Sequence, residues 1–419
     1  MTPPTAVRAA DPSLRHILAR DQLRSVYQPI VDLDSGATVA FEALARGPEG
    51  SALESPGALF DEAARAGLVA ELDRACRRIA VRGALAAGLC PPQSLFVNLE
   101  PSTVEGGPAL AHEAEIADGR LRVIVEFTER ALTSRPAEVL AAVAWLRERG
   151  CGIALDDVGI DERSLALMPF LAPDVIKLDM KLVQQRGTSL AAARVLNAVA
   201  AEAERSGATL LAEGIETEQH LARARAMGAT LGQGWLFGRP SALPAMPLPA
   251  IAPVPLRRVE REVPGTPYEL IADERRVRRG DKRLLLALSL QLEAEANALG
   301  GEVVVLSTFQ DVGFFTPRSR RRYERMAGTA ALVGALGAGM GAEPAPGVRG
   351  ASLQVGETLH DEWDVIVISP HFAGAFVARD LGDDVADADR RFEYFVTYDR
   401  ALVARAAHAL MARLLPSPS

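Results

Sequence analysis

Short apolar runs alternate with amphipathic helical segments over the first 240 residues, and most of these runs end in polar side chains. The runs read VAFEAL, LFVNLE, RVIVEFTE, GIALDD, DVIKLD, LLAEGIE and ATLGQG. Between them, helical periodicity predicts helices at 59–67, 71–87, 136–149, 190–206 and 218–227. Alternation of strands and helices predicts a parallel sheet, and eight strands suit a closed (β/α)8 TIM-like barrel of the α/β class.

The connection between the first two strands predicts one exception to the parallel order. SVYQPIVDL leads through Asp34, Ser35 and Gly36 directly into VAFEAL. So short a turn joins only antiparallel strands. We therefore expect one barrel strand to run against the others.

The pattern changes after the barrel and predicts a second, smaller domain. Eight prolines between residues 240 and 267 indicate a semi-extended linker. Beyond it we expect a helix at 282–299, a strand at 302–309, two adjacent strands in WDVIVISPHFAGAFVARDL, a strand in RFEYFVTYD and a helix at 400–414. This indicates an α+β domain. The predicted order is a lead-in at 1–22, the barrel at 23–242, the linker at 243–267 and the second domain at 268–416.

Composition excludes several classes of function. The formal net charge of −8 argues against a dedicated surface for nucleic acid or anionic membranes. No apolar stretch reaches the roughly 18 residues of a membrane span, and the first residues lack the apolar core of a signal peptide. We therefore expect a cytoplasmic protein without a membrane span and without a nucleic-acid partner.

The cysteines and histidines indicate which ligands a metal site would use. Three cysteines have no C-x-x-C spacing, and six histidines form no H-x-H or H-E-x-x-H pair. Any metal site is therefore expected to use oxygen ligands, which suit Mg²⁺, Mn²⁺ or Ca²⁺ better than zinc.

The polar strand ends provide such oxygen ligands. Because the carboxyl ends of barrel strands meet at one face, we expect these side chains to converge. One divalent cation could be bound by Glu42, Asn98, Glu126 and Asp156. Asp157 could help to bind a second ion, and two ions can clamp a phosphodiester during an in-line displacement. A single acid at a strand end is commonly a helix cap or a surface charge, but that explanation must hold separately for seven strands.

Two cationic residues complete the predicted chemistry. Lys177 could orient an attacking water, act as a base or neutralise phosphate charge. Arg46 follows Glu42 by four residues, just beyond the strand end, and could bind a phosphate oxygen.

These motifs resemble the EAL domain, a family of bacterial enzymes that hydrolyse cyclic di-GMP, over about residues 20–242. The eponymous motif is Glu42-Ala43-Leu44, followed by Ala45 and Arg46. The other matching motifs, in family order, are YQPI, FVNLEPS, VEFTE, ALDDVG, VIKLD, AEGIET and LGQGWLFGRP.

The resemblance implies a role for each matching residue. It implies a two-ion Mg²⁺ or Mn²⁺ site with the ligands Glu42, Asn98, Glu126, Asp156 and Asp157. Lys177 is then the catalytic lysine, supported by Glu213 and Glu216, and the substrate contacts are Gln28, Arg46 and Gln233. The implied reaction is hydrolysis of one phosphodiester of cyclic di-GMP to give linear pGpG. The family also implies a homodimer formed through the region after the Asp-Asp strand.

The loop after Asp157 departs from the family pattern. The family reads F-G-T-G-Y-S-S-L, whereas this chain reads VGIDERSL at 158–165. Asp161 does not easily adopt backbone angles that favour glycine, so we expect a different loop shape. This departure leaves open a catalytically weak or inactive domain that acts as a cyclic di-GMP receptor. An interaction module that has lost nucleotide binding is a third alternative.

The second domain resembles DICT domains, which are sensory modules in bacterial signalling proteins. The supporting stretches are FQDVGFFT, YERMAGTAALVGALGAGM and WDVIVISPHFAGAFVARD. The resemblance implies that this domain regulates the barrel in response to an unknown signal or partner. The basic runs RRVRRG and RSRRRYER are expected to form a solvated helical face or an interdomain contact rather than a nucleic-acid surface.

Overall fold

The computed structural model describes residues 13–100, 119–159, 162–185, 189–243, 252–257, 265–354 and 356–414. Three predicted features fall partly outside these residues: positions 1–12 of the lead-in, Ile160 and Asp161 of the altered loop, and positions 244–251 and 258–264 of the linker.

Eight strands close into a barrel in sequence order. They are β1 (Arg24–Asp32), β2 (Thr38–Arg46), β3 (Ser94–Asn98), β4 (Arg122–Thr128), β5 (Gly152–Val158), β6 (Val175–Leu178), β7 (Thr209–Ala212) and β8 (Leu231–Gln233). Strand β1 runs antiparallel to both β2 and β8, and the remaining pairs are parallel. The predicted TIM-like barrel with one antiparallel strand is confirmed.

Helices surround the barrel, and the five predicted at 59–67, 71–87, 136–149, 190–206 and 218–227 lie close to their predicted positions. The helices are α1 (Leu14–Ala19), α2 (Pro56–Ala66), α3 (Val69–Ala86), α4 (Glu129–Ser134), α5 (Pro136–Glu148), α6 (Met168–Leu171), α7 (Met180–Gln184), α8 (Leu190–Ser206) and α9 (Glu218–Ala226). Of these, α4, α6 and α7 were not predicted. Helix α8 shows why the prediction succeeded. Ser189 accepts a hydrogen bond from Ala192 N at its start, and Gly207 at its end has φ 72°. These are the residues that start and stop helices most effectively.

Part of the predicted linker closes the barrel from below. Val254 is buried among side chains near the amino ends of the barrel strands, including Phe96, Ile124 and Val175. Its carbonyl accepts a hydrogen bond of 2.7 Å from Arg122 Nη2. Val254 therefore belongs to the barrel core, and Leu256 packs against the same cluster.

The second domain contains a seven-stranded mixed sheet with the order β12-β11-β10-β13-β14-β15-β9. The strands are β9 (Arg278–Asp281), β10 (Val304–Asp311), β11 (Leu332–Ala338), β12 (Arg349–Ser352), β13 (Glu362–Ile368), β14 (Ala373–Asp380) and β15 (Arg391–Thr397). Its helices are α10 (Pro267–Ala272), α11 (Lys282–Leu299), α12 (Pro317–Ala327) and α13 (Arg400–Met411). The predicted separate α+β domain is confirmed, whereas the strands β9, β11 and β12 and the helices α10 and α12 were not predicted.

Both faces of this sheet are covered, because successive residues of the central strand alternate between two cores. Val305 packs with Leu285 and Leu292 of α11. Val304 and Leu306 belong to the core that includes Val403 of α13 and continues into the outer layer of the barrel. The barrel and the second domain therefore share one continuous apolar core. Within the described residues, no helix is sufficiently long and apolar to cross a membrane.

Two carboxyl groups are buried inside the second sheet. Glu362 and Asp364 are fully buried. Oδ2 of Asp364 lies 3.1 Å from Thr308 Oγ1. Burial, followed by the nearby Glu362 carboxylate, raises the pKa of Asp364 well above its usual value. The folded protein therefore favours the neutral form of Asp364.

This burial predicts a pH-dependent effect of Asp364→Asn. Because the pKa of Asp364 is higher in the folded than in the unfolded protein, the contribution of Asp364 to stability is most favourable below the unfolded pKa of about 3.8. This contribution declines as the pH rises above that value. The amide keeps the shape but does not ionise. We expect Asp364→Asn to raise the free energy of unfolding at pH 8 and to have little effect near pH 4, in urea titrations.

The matched control is Asp384→Asn, which alters an exposed carboxylate of the same domain. The free energy of unfolding at pH 8 should rise more for Asp364→Asn than for the control. An equal rise for both variants, or a rise for Asp364→Asn that does not depend on pH, contradicts a raised pKa for Asp364.

Candidate functional site

A buried lysine stands at the centre of the carboxyl face of the barrel. The Lys177 side chain, on β6, is 1% exposed. Its Nζ lies 2.8 Å from Glu213 Oε1, 2.9 Å from Glu126 Oε1 and 2.9 Å from Asp156 Oδ1. Glu42 Oε2 is 3.8 Å away. Four carboxylates from four different strand ends thus surround one ammonium group.

The barrel topology explains why these groups meet. Glu42, Glu126 and Asp156 lie on β2, β4 and β5, while Glu213 directly follows β7. Since parallel strands end at the same face of a barrel, their last side chains point towards a common space. The sequence prediction that the polar strand ends converge agrees with this geometry.

A chain of amide side chains fixes the orientation of Glu42. Gln233 Nε2 donates to Glu42 Oε2 at 2.7 Å, and Asn98 Nδ2 lies 3.3 Å from Glu42 Oε1. Gln28 Oε1 accepts a hydrogen bond of 3.1 Å from the same Gln233 nitrogen. The antiparallel pairing of β1 and β2 places Gln28 directly opposite Glu42. Both oxygens of Glu42 therefore have a hydrogen-bond donor.

The backbone at the Asp156-Asp157 pair is irregular. Asp157 has φ 61°, in the left-handed region that residues with a β-carbon rarely adopt. The pairing of β5 with β6 shifts register between Leu155 and Val158. A bulge of this kind re-aims adjacent side chains, and strained backbone is typical of functional sites. The Asp-Asp motif gave no sign of this strain in the sequence.

Burial and mutual repulsion alter the protonation of the cluster. Burial, then the Glu42 carboxylate, raises the pKa of Glu126 well above its usual value. Burial raises the pKa of Glu213 to about 7, although Lys177 opposes this effect. Burial raises the pKa of Asp157, with a further contribution from Asp156. For Lys177, burial alone lowers the pKa, but the surrounding carboxylates outweigh it and raise the pKa well above its usual value.

The same oxygens fit a divalent cation. Asp156, Asp157 and Glu213 each offer a carboxylate oxygen within 4.8 Å of the others. Both carboxylate oxygens of Glu126 and Oδ1 of Asp156 are buried without a hydrogen bond within the described residues, despite their ion pairs with Lys177. Carboxylate and amide oxygens are the ligands that Mg²⁺ and related cations use. These carboxylate oxygens are therefore available to coordinate a cation.

Two predicted residues lie apart from the cluster. Glu216 is exposed, and its backbone N–H, rather than its carboxylate, contacts His220 Nδ1 at 3.3 Å. Arg46, at the end of β2, is half-buried, and its Nη1 donates to the Ala45 carbonyl at 2.8 Å. Both roles therefore stay predictions. Arg46 is at the rim of the face, where a bound substrate would lie.

Two glycines that were not predicted as site residues allow the backbone segments of the site to pack closely. Gly214 has φ 66°, and an added Cβ would lie 2.5 Å from Met180 Cβ. At Gly234 an added Cβ would lie 2.1 Å from the Ile215 carbonyl oxygen. The segment that carries Glu213 can approach α7 and the end of β8 only because these positions lack side chains.

A cavity of ≈ 260 Å³ beside Asn98 was also not predicted. It lies between β2, β3 and the helices α2 and α3, and its lining includes the buried ion pair of Arg77 with Asp73. Asp73 Oδ1 also accepts a hydrogen bond of 3.2 Å from Glu100 N. The two charges are one turn apart on α3, a spacing that resembles an ordinary surface pair in the sequence.

Comparisons with known proteins assign both parts of the chain. The EAL domain family profile matches residues 11–240. The profile described as "Sensory domain in DIguanylate Cyclases and Two-component system", DICT, matches residues 269–381.

Among curated relatives, the cyclic di-GMP phosphodiesterase RocR of Pseudomonas aeruginosa is 33% identical over 231 residues, 53% of this chain and 58% of RocR. The uncharacterized protein Rv1357c of Mycobacterium tuberculosis is 32% identical over 243 residues, 54% of this chain and 78% of that protein. This chain thus spans little more than half of RocR. The solved structure of the EAL enzyme Bd1971, with cAMP and cyclic di-GMP bound, is similar with TM-score 0.50 and 21% identity, covering 55% of this chain and 65% of that one.

The Lys177 cluster predicts that Lys177→Met destabilises the metal-free protein. Methionine keeps the bulk of the side chain but removes the charge that balances four carboxylates. Leaving buried charges unpaired costs about 3–5 kcal/mol. In EDTA we expect the unfolding midpoint of Lys177→Met to fall, and millimolar Mn²⁺ or Mg²⁺ to raise it more than it raises that of the parent protein, by differential scanning fluorimetry.

Lys181→Met is the matched control, because Lys181 is exposed on the neighbouring helix α7. If Lys177→Met is as stable as this control in EDTA, the carboxylates do not depend on the lysine. If divalent ions leave the variant unchanged, the cluster does not bind them.

Proposed function

Since a family profile matches more than half of it, the chain belongs to the EAL family, and we propose that it hydrolyses cyclic di-GMP to linear pGpG. The relative RocR, a cyclic di-GMP phosphodiesterase, supports this substrate. The observation that carries the proposal is the convergence of Glu42, Glu126, Asp156 and Glu213 around Lys177. A structural barrel has no need of four carboxylates in one pocket.

The proposed cofactor is a pair of Mg²⁺ or Mn²⁺ ions. Their ligands would be the side chains of Glu42, Asn98, Glu126, Asp156 and Asp157. When bound, the ions would supply Lewis acidity towards a water molecule and the scissile phosphate. The oxygens that Asp156 and Asp157 offer within 4.8 Å of each other, and the Glu126 and Asp156 oxygens without hydrogen bonds, support these three ligands; Glu213 belongs to the same group of neighbouring oxygens.

The remaining residues would position and neutralise the reacting groups. Lys177, fixed by three contacts of 2.8–2.9 Å, would place positive charge beside the phosphate. Glu213 would orient Lys177, and Gln233 would orient Glu42. Arg46 at the rim would bind a phosphate oxygen, and Gln28 would contact the nucleotide. Glu216 would act from outside the cluster.

We propose that the C-terminal domain regulates this site through two contacts. Arg349, at the start of β12, donates from Nη1 to the Ser134 carbonyl at 2.8 Å. Ser134 ends α4, the helix that follows β4 and its Glu126. Helix α13 contacts α6, which follows β5 and its Asp156-Asp157 pair. The domain thus reaches two segments that leave the strands carrying most of the proposed ligands.

The homodimer through the segment after Asp157 stays a prediction. Leu165, Met168 and Leu171 of that segment are already buried in the single chain, where α6 contacts α13. A dimer formed there would therefore use other residues of the segment. The cytoplasmic location also stays a prediction from the sequence.

The test of the proposed function is hydrolysis by the full-length chain. With Mn²⁺ or Mg²⁺ we expect conversion of cyclic di-GMP to pGpG, followed by chromatography, and no conversion in EDTA. Glu126→Gln keeps the shape of the buried side chain but removes its charge. We expect it to lower turnover by about 100-fold or more, as does misplacement of a reacting group by about 1 Å.

Glu218→Gln is the control, because this glutamate is exposed on the first turn of α9. If the chain binds cyclic di-GMP tightly but does not hydrolyse it, the domain is a receptor rather than an enzyme. The unusual sequence at 158–165 favours this alternative. If calorimetry detects no binding, the domain is an interaction module.

The regulatory contact predicts an effect of Arg349→Ala on turnover. Removing the guanidinium leaves the Ser134 carbonyl without this donor and costs about 1 kcal/mol of stability. Because α4 follows directly from the strand that carries Glu126, we expect turnover to fall several-fold while the protein stays folded. The measurement is kcat at saturating substrate, with circular dichroism as a check on folding.

The control is Arg283→Ala, which removes an exposed ion pair with Asp389 on the far side of the same domain. Equal turnover for Arg349→Ala and this control would show that the contact does not transmit an effect to the barrel.

A further inference from the structure

The C-terminal domain contains a cavity of ≈ 290 Å³ that is separate from the barrel site. It lies between α11, the turn Val312–Phe314 after β10, and the start of α12. Sites for small molecules begin at roughly 300 Å³. The cavity is therefore large enough for a compact ligand of one or two rings, and too small for a dinucleotide.

Aromatic rings form the walls of this cavity. Phe309, Trp363 and Phe392 all line it. Phe309 packs edge-on against Phe315 at 4.9 Å, and Trp363 packs edge-on against Phe392 at 5.8 Å. Neighbouring rings hold each wall ring in place. Phe309 and Phe392 are buried, and Trp363 is half-buried, so Trp363 is the wall ring that a planar ligand can cover.

The mouth of the cavity exposes further apolar surface. Leu286 on α11 is 46% exposed, and Phe314 in the turn is 40% exposed. Both also line the cavity. Apolar side chains exposed around a concave site gain free energy when a ligand covers them.

Three cationic side chains line the cavity, and two of them are paired with carboxylates. Lys282 pairs with Asp387, and Arg322 pairs with Glu293 at 2.7 Å. Arg318 also lines the cavity, and the described residues include no carboxylate paired with it. Arg318 lies in the first turn of α12, where the helix dipole also favours negative charge. The unbalanced charge at this cavity is therefore positive.

The backbone beside the cavity is strained. Gln310 has φ 58°, and the pairing of β10 with β11 shifts register between Thr308 and Asp311. The Gln310 side chain holds this conformation, since its Nε2 donates to the Asp361 carbonyl at 3.2 Å and its Oε1 accepts from Arg390 at 3.1 Å. Strain that neighbouring groups maintain is typical of ligand sites and switch regions.

We infer that this cavity binds a small planar aromatic anion. The ring of the ligand would pack against Trp363 and against Leu286 and Phe314 at the mouth. The anionic group would bind Arg318. The binding site stands independently of the barrel's chemistry, and only its use as a regulatory input rests on the proposed function.

The experiment is calorimetric titration of the full-length chain with 1-naphthoate and with its uncharged counterpart 1-naphthamide. We expect naphthoate to bind more tightly than naphthamide. Arg318→Gln should weaken naphthoate about three- to tenfold, the effect of one partly exposed ion pair, and leave naphthamide unchanged. Arg321→Gln is the matched control, because Arg321 is exposed on the same helix but does not line the cavity.

A second pair of variants tests the location. Leu286→Asp places a negative charge at the mouth and should abolish naphthoate binding. Leu284→Asp alters an equally exposed leucine of α11 that does not line the cavity, and should leave binding unchanged.

The inference is overturned if neither compound binds, if Arg318→Gln and Arg321→Gln act equally, or if Leu286→Asp binds as the parent does. Since binding is measured without cyclic di-GMP, an inactive barrel would not affect the result.

Discussion

The structure depends most on the balance between one buried ammonium and the carboxylates around it. Isolated charges inside a protein are expensive, and removing one partner from a buried ion pair costs about 3–5 kcal/mol. The Lys177 ammonium lies within 3 Å of carboxylate oxygens of Glu126, Asp156 and Glu213 and balances their charge. This lets a barrel fold with acidic strand ends before any divalent ion binds. Under the proposed function, Lys177 and the cations would share oxygens, so that binding of an ion would redistribute contacts already made.

The barrel is not a self-contained unit, although its strands close in sequence order. Val254 fills its lower end from beyond the predicted boundary at residue 242. On the outside of the barrel, Arg349 and helix α13 contact segments that follow β4 and β5. Both connections come from chain that lies after the eight strands. We therefore propose that the structural unit of the barrel extends at least to residue 257 and that its outer layer is completed by the C-terminal domain.

The barrel and most of the side chains around Lys177 could be predicted from the sequence, because both follow from regular geometry. A side chain at the end of a parallel strand has a fixed place, so Glu42, Glu126, Asp156 and Lys177 could be brought together without coordinates. Glu216 lies beyond the strand end, where no such periodicity applies, and it is found exposed. Val254 was missed because prolines around it indicate a linker, and nothing local reveals that one valine is buried. The strain at Asp157 and the small strands β9 and β12 likewise depend on tertiary contacts that local propensity does not contain.

The position of the C-terminal cavity limits how it can affect the barrel. The cavity lies on the α11 face of the sheet, whereas the barrel shares its core with the opposite face. Any coupling must therefore cross the sheet itself. Strand β10 connects the two sides, because Phe309 lines the cavity while the Thr308 hydroxyl donates to the Glu362 carbonyl at 2.9 Å. The Glu362 carboxylate in turn accepts from Tyr268 N of α10 at 3.0 Å, on the barrel side. These buried hydrogen bonds are therefore the route by which a ligand at the strained end of β10 would act on the barrel side.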